Sequence, residues 1–408
     1  MLLCAFICVY IYFFQSVAKI RTGVRCTTYL TSLALFYPFI DISIHPMGVA
    51  VSMFEIVSLV FLFLNTYIIS YIRRYWLILV IILVLLLSAV LSENPWLSLA
   101  NVPGRLSMII VFLASICAFR NSSREHIDFC VERVFRLVTF YVLVFGSIQV
   151  FYNPFFSLNY SVWSKEVRIS SCFFDPQLAG CCICICLMYH FSVFIKKKSV
   201  TRLLILCSLF YLGASTGSKV FLLGACSGLL VSFFLSRNKI VYVFCVLMLS
   251  VLLSLFWEQI SELSVFNRLA NAESSLAYRQ NVYWVSAINI FMDNLFSGVG
   301  CGMFQNYIMA HHIPLFHHIE TKLIYASQPE SGYLLWLAEY GSLSFFLVCA
   351  ILYVLNKGMH GRIINNSIVV PWIVSFVSVY NLFSAQLFLL LMIVVAVILL
   401  NRNERKKT

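Results

Sequence analysis

Apolar runs of roughly 20 residues recur along this 408-residue chain, each long enough to cross a ~30 Å hydrocarbon layer. Within lipid no water bonds to the backbone, so a crossing segment must satisfy its own N–H and C=O groups. Helices and closed barrels do so, and these runs lack the alternation of barrel strands. Composition points the same way. The chain is 62% hydrophobic and 11% charged, whereas a soluble globular domain is roughly a quarter charged. The expected fold class is an all-α polytopic integral membrane protein.

Candidate spans fall at about 2–19, 27–43, 49–71, 75–92, 104–119, 135–152, 176–195, 201–215, 218–236, 239–257, 332–356, 367–383 and 385–401. The last two surround Asn381 and read either as two spans or as one re-entrant pair, which gives about 12–13 transmembrane helices. The first 18 residues lack a basic leading region and a small-residue cleavage site, so a retained helix is expected there rather than a signal peptide. Basic residues cluster beside apolar runs, at Arg73 and Arg74, Lys196 to Lys198 with Arg202, Arg237 and Lys239, Lys357 and Arg362, and Arg402 to Lys407. Placing every cluster in the cytoplasm follows the positive-inside rule and puts residues 153–175 and 258–331 on the outer face. The chain then divides into N-terminal helices (1–152), a loop with the central helices (153–257), one large outer loop (258–331) and C-terminal helices with a basic cytoplasmic tail (332–408).

The net charge of +12 resides in these juxtamembrane clusters, which argues against nucleic acid as a partner and for the lipid bilayer. The fifteen cysteines lie mostly within apolar runs. Cys181, Cys182, Cys184 and Cys186 point in different directions on a helix and have no companion ligands, so they read as small apolar filler. No cofactor and no metal site is expected. The pairs His311 with His312 and His317 with His318 lack a completing ligand set and read as surface or substrate-contact residues.

Residues 258–341 form the one long polar passage, with seven of the sixteen acidic residues, half of the histidines and three of the 28 Lys and Arg. Arg268 and Arg279 lie 11 residues apart, close to three helical turns. They would share one face of a continuous helix, as a guanidinium pair for a diphosphate or as solvated interfacial groups. Val282, Val285, Ile288 and Phe291 recur at helical intervals, as in an amphipathic helix lying on a membrane. The turn at Gly298, Gly300 and Gly302 follows no strand of a βαβ unit and is not a dinucleotide fingerprint. Upstream, the aromatics from Phe151 to Phe174 read as an interfacial belt or as a stacking surface for sugars. Arg168 offers a charged fork suited to phosphate. Ser215-Thr216-Gly217-Ser218-Lys219 reads first as helix capping, with contact to an anionic headgroup as the alternative.

Three separated pieces resemble the bacterial O-antigen polymerase and O-antigen ligase superfamily of membrane glycosyltransferases. They are Arg168-x-x-Ser171-x-Phe173-x-x-Pro176-Gln177-x-x-Gly180, Ser215-Thr216-Gly217-Ser218-Lys219, and a stretch from Arg279 through Trp284 and Gly298 to Glu330-Ser331-x-x-Leu334 and Gly341. Ser171 and Gln177 stand where that family has Gly and Asn, and Lys219 where it has Arg. At the Glu330 junction the ligase branch has a histidine proposed as the catalytic base, so glutamate there is similar to the polymerase branch.

The resemblance implies a GT-C-like, metal-independent inner-membrane enzyme. It would move a growing glycan from undecaprenyl diphosphate to the next lipid-linked repeat unit on the periplasmic face, and it admits a chain-length regulator protein as a partner. On this reading Glu330 is the base, and Arg168 and Arg279 hold the diphosphate. Arg268, Lys219, Ser218, Ser331 and Tyr333 are expected to contact substrate. An O-antigen ligase and a polysaccharide-unit flippase are the alternatives. Transporters place ionisable groups at mid-membrane, and here the spans are read as nearly free of them, with Glu55 the main exception.

Overall fold

The computed structural model describes residues 22–39, 43–44, 51–65, 69, 76–120, 122–153, 156, 168–173, 175–235, 279–311, 316–317, 323–324, 329–359, 363–376 and 384–405. The first candidate span, the span at 239–257, Arg268 and Asn381 lie outside them. Helix α1 (Thr22–Leu35) leads through a two-residue antiparallel ladder, β1 (Ser43–Ile44) with β2 (Val51–Ser52), into α2 (Met53–Leu64). Then come α3 (Trp76–Val90), α4 (Pro95–Phe119), α5 (Arg124–Phe151), α6 (Pro176–Lys196), α7 (Val200–Ser215) and α8 (Lys219–Leu235). A π-helical turn, Arg279–Trp284, opens α9 (Val285–Asp293). Next are α10 (Phe304–Ala310) and a second short ladder, β3 (Phe316–His317) with β4 (Leu323–Ile324). The described chain closes with α11 (Gly332–Tyr340), α12 (Ser344–Met359), α13 (Ile363–Ser375) and α14 (Ala385–Arg405).

The protein is an all-α polytopic membrane protein. Among the described residues, Pro95–Phe119, Arg124–Phe151, Pro176–Lys196 and Gly332–Tyr353 are long and apolar enough to cross a membrane. Shorter apolar helices accompany them, including Met53–Leu64, Val200–Ser215 and Lys219–Phe234. The bundle is organised around α6, which packs against α7, α8 and α13, while α13 also packs on α8 and α14 packs on α4. The four α6 cysteines are at most 2% exposed and carry no disulfide. Cys182 Sγ lies 3.0 Å from the Tyr37 hydroxyl, and the Cys181 thiol donates to Ser375 Oγ at 3.2 Å. Compact side chains let α6 approach several neighbours at once, in keeping with free cysteine as a small buried hydrophobe.

Two sequence expectations change. The span expected from residue 104 is part of a helix that begins at Pro95, behind an Asn94 cap whose Oδ1 accepts from the Leu97 N–H at 3.3 Å. Pro103 is accommodated inside that helix, so Arg105 falls within α4 and lines an apolar cavity of about 220 Å³ with Phe112, Trp336, Tyr340, Trp372 and Phe388. Glu55, expected inside a span, is instead the third residue of α2 and closes a capping box with Ser52. The spans therefore hold ionisable groups other than the one expected.

Arg105 faces Glu339, which is 3% exposed in α11. The Glu339 carboxylate also lies against the backbone N–H groups of Gly302 and Phe304 and the Tyr340 hydroxyl. The glycine turn is fastened to the same place. Val299 N–H donates to the Ala338 carbonyl at 2.9 Å, and Gly300 N–H to the Glu339 carbonyl at 3.0 Å, which also accepts from Ser88 Oγ at 2.7 Å. Ser98 Oγ and Asn101 Nδ2 of α4 donate to the Cys301 carbonyl at 3.2 and 3.4 Å. The turn thus joins α3, α4 and α11, and its chemistry is structural.

Gly298 has a φ of +66°, and a Cβ there would sit 2.4 Å from the Glu339 carbonyl carbon. Left-handed backbone alone costs a residue with a side chain about 1–3 kcal/mol, and here rigid backbone opposes relief. Gly298→Ala is expected to lower the melting temperature of the detergent-solubilised protein and its folded yield. Size-exclusion chromatography after a heating series checks both.

Candidate functional site

The segment carrying Arg168 is held by Gln149 of α5. The Gln149 Oε1 accepts from the Ser170 and Ser171 N–H groups at 3.0 and 2.7 Å, and its Nε2 donates to the Phe156 carbonyl at 2.7 Å. This bends the chain through Ser171, whose φ is +52° and whose Oγ donates to the Val142 carbonyl at 2.9 Å. A side chain in left-handed backbone costs roughly 1–2 kcal/mol. That conformation accounts for glycine being usual at this place in the superfamily the sequence resembles. Phe173, 2% exposed, then packs edge-on against Tyr37 at 5.9 Å.

Asp175 is the N-cap of α6, with Pro176 in the first turn. Its Oδ1 accepts from the Gln177 N–H at 3.1 Å. A carboxylate satisfying an orphan donor, followed by a residue with no N–H to satisfy, is the arrangement a helix start favours. The turn between α7 and α8 comes to this point. Ile169 N–H donates to the Ser215 carbonyl at 3.4 Å, and Arg168 Nε to the Thr216 carbonyl at 2.9 Å. Gly180 of α6 lies so close to Ser218 that a Cβ there would be 2.7 Å from the serine Cβ. The capping expectation for this motif holds. Thr216 closes α7, its Oγ1 donating to the Gly213 carbonyl at 2.7 Å and accepting from the Ser218 N–H at 3.2 Å.

The third piece arrives through α13. Gly332 N–H donates to the Phe376 carbonyl at 2.8 Å, and the Tyr333 hydroxyl donates to the Ile373 carbonyl at 3.1 Å. The Cys181–Ser375 contact ties the same end of α13 to α6. Glu330, with a φ of +49°, therefore stands just before α11, beside the start of α6. Its charge reaches the Asp175 carboxyl. Burial pushes the Asp175 pKa up and the Glu330 carboxylate adds to that, while the Gln177 N–H and the Arg168 guanidinium act against it.

Arg168, Ser218, Lys219, Glu330, Ser331 and Tyr333 thus come to one end of the bundle, although residues 168 and 333 are far apart in sequence. Ser331 is buried and heads α11 without a side-chain cap bond. The Tyr333 hydroxyl is committed to a backbone carbonyl, so its ring is the part left to contact another molecule. Arg279 opens the π-helical turn before α9. Ala287 and Ile290 of α9 are fully buried in one apolar cluster with Leu335 and Ala338 of α11. Val285, Ile288 and Met292, by contrast, are exposed. Of the expected apolar face of α9, Val285 and Ile288 thus point outward and Phe291 is half-buried, as for a helix lying on a membrane. Of the histidines, His311 stacks on Tyr307 at 4.0 Å and lies 3.5 Å from Glu93. Sequence reasoning missed Asp175, although an acidic residue directly before Pro176 is a helix-start signal.

Folding raises the Asp175 pKa, so the folded protein binds that proton more tightly than the unfolded chain. Stability is accordingly lost as pH rises from the ordinary carboxyl value, about 3.9, through the folded value. Asp175→Asn keeps the capping oxygen and cannot ionise. It is expected to melt above the wild type at pH 7, with the gap closing as pH falls; thermal melts across pH check this.

No curated protein matches the chain at a significant level. Residues 200–349, which include the Ser215–Lys219 turn, the glycine turn and Glu330, match the family described as O-antigen ligase. The Arg168 segment precedes the matched region and is joined to it by the Arg168–Thr216 and Ile169–Ser215 hydrogen bonds. Residues 200–349 are thus similar to the O-antigen ligase family, a likeness consistent with the O-antigen polymerase and ligase superfamily.

Proposed function

We propose that this protein is a polysaccharide polymerase of the bacterial inner membrane, acting at the periplasmic face on repeat units linked to undecaprenyl diphosphate. The observation that carries this reading is Glu330. A carboxylate occupies the loop-to-helix junction where the ligase branch has histidine, and it stands at the end of the bundle where Arg168 and Lys219 are found. In the reaction the C1–O bond to the donor diphosphate breaks while an acceptor sugar hydroxyl attacks C1. Glu330 accepts the hydroxyl proton, and undecaprenyl diphosphate leaves with the bonding electron pair. Arg168 and Arg279, with Arg268 and Lys219, stabilise the charge that builds on the diphosphate through charge-assisted hydrogen bonds.

A ligase reading is favoured by the description of the matched family. It shares the donor chemistry and differs in the acceptor, which would be a lipid anchor rather than another repeat unit. The buried Arg105–Glu339 pair does not revive the flippase reading, because the glycine turn, Tyr340 and Cys301 enclose it as a joint.

Gel analysis of lipopolysaccharide from cells lacking the chain separates the readings. A polymerase leaves core plus one repeat unit, and a plasmid copy restores the ladder; bare core contradicts this. Loss of a general base costs about 10²–10⁴-fold in rate. At matched expression, Glu330→Gln and Arg279→Ala are each expected to collapse the ladder, and unchanged ladders in both would remove these roles.

A further inference from the structure

Three oxygens where α6 meets α8 are shielded from solvent and have no hydrogen-bond partner among the described residues: Asp175 Oδ2, Gln177 Oε1 and Ser218 Oγ. Buried polar atoms are nearly always paired, so an unpaired group calls for an explanation. Asp175 and Ser218 are each positioned by something other than the free atom. Asp175 is fixed through Oδ1, which caps α6, and Ser218 is held by its own backbone and by the close approach of Gly180. Gln177 and Gly180 are three residues apart on α6, and so lie on one helix face. That face therefore carries Gln177 toward the contact with Ser218. Glu330 stands close enough for its charge to act on Asp175, which places the Asp175 carboxyl beside the proposed base.

The chemistry of the set selects its ligand. A carboxylate oxygen and an amide carbonyl accept only, and a serine hydroxyl accepts or donates. Oxygens of this kind repel phosphate and have no apolar surface to offer a lipid chain. They match a molecule presenting several O–H donors close together. We propose that Asp175, Gln177 and Ser218 form the subsite that holds the ring hydroxyls of the acceptor sugar. The proposal rests on the glycosyltransferase reading above and deepens it, setting an acceptor subsite rich in hydrogen-bond acceptors directly beside the cationic donor groups Arg168 and Lys219. Holding an acceptor hydroxyl between Asp175 and Glu330 would set its angle of attack, an orientation effect distinct from proton removal.

Three substitutions remove the free atoms while sparing the bonds that hold the fold. Asp175→Asn retains the capping oxygen, Gln177→Leu retains the backbone N–H that Asp175 receives, and Ser218→Ala removes a hydroxyl that makes no bond. The purified full chain in phospholipid nanodiscs would be titrated with the repeat-unit oligosaccharide freed of lipid and diphosphate, followed by saturation-transfer NMR. Undecaprenyl diphosphate without sugar would be titrated in parallel. The expected result is oligosaccharide affinity lowered about three- to tenfold in each variant, with undecaprenyl diphosphate affinity unchanged. Oligosaccharide affinity equal to wild type in all three variants overturns the subsite, as does absence of oligosaccharide binding by the wild type. Equal loss of both ligands also overturns it, because that marks a general distortion. Failure of the polymerase reading looks different: the wild type would bind oligosaccharide through these residues yet restore no ladder to cells lacking the chain.

Discussion

The hydrogen bond from Arg168 Nε to the Thr216 carbonyl is the joint on which the candidate site depends. An arginine at a membrane-exposed bundle end would ordinarily extend to headgroups or water. Here one nitrogen of the fork is spent on the α7–α8 turn, which fixes the guanidinium plane and directs the remaining donors. Gln149 makes this possible by forcing the chain through the left-handed bend at Ser171. The strain at Ser171 is offset by three Gln149 bonds and by the serine's own bond to Val142. Strain of this kind persists where the surroundings over-determine it, and it collects at functional sites.

Around that joint the bundle solves a second problem, which is to hold Glu330 on a loop-to-helix junction with a defined direction. The C-terminal end of α13 does this by accepting the Gly332 N–H and the Tyr333 hydroxyl while Ser375 meets Cys181 of α6. One helix end therefore sets the distance between the start of α6 and the start of α11. Lower in the bundle, the Arg105–Glu339 cluster anchors the other end of α11 to α4 and to the glycine turn. The Arg105 charge favours the buried Glu339 carboxylate, so removing Arg105 would leave that carboxylate buried without its neighbouring opposite charge. Such a pair suits a joint that must not slip.

Much of the fold was legible in the sequence, because the requirement for internal backbone bonding in lipid leaves an apolar run little choice but helix. The starts of α6 and α11 and the cap at Thr216 fall where Pro176, Gly332 and the Ser215–Lys219 motif suggested. What failed did so for physical reasons. The span expected from residue 104 begins instead at Pro95, because α4 runs through Pro103. In α9, by contrast, Val285 and Ile288 of the periodic set face outward, in keeping with the surface helix expected, while Ala287 and Ile290 face the protein. The convergence of Arg168, Ser218 and Glu330 had no local signature. It is a property of how α6, α8 and α13 pack, and only the shared resemblance hinted that the pieces belong together.

In the proposed function these pieces make one glycosyl-transfer site in which the next lipid-linked repeat unit, rather than a lipid anchor, receives the glycan. The most direct test reconstitutes the full-length protein in phospholipid vesicles with a lipid-linked repeat unit as the only sugar substrate, and follows products by mass spectrometry. A polymerase yields lipid-linked products that grow by whole repeat units as undecaprenyl diphosphate is released. Release of undecaprenyl diphosphate only when lipid A–core is supplied, with a glycan on that anchor and no lengthened lipid-linked species, would contradict the proposed function.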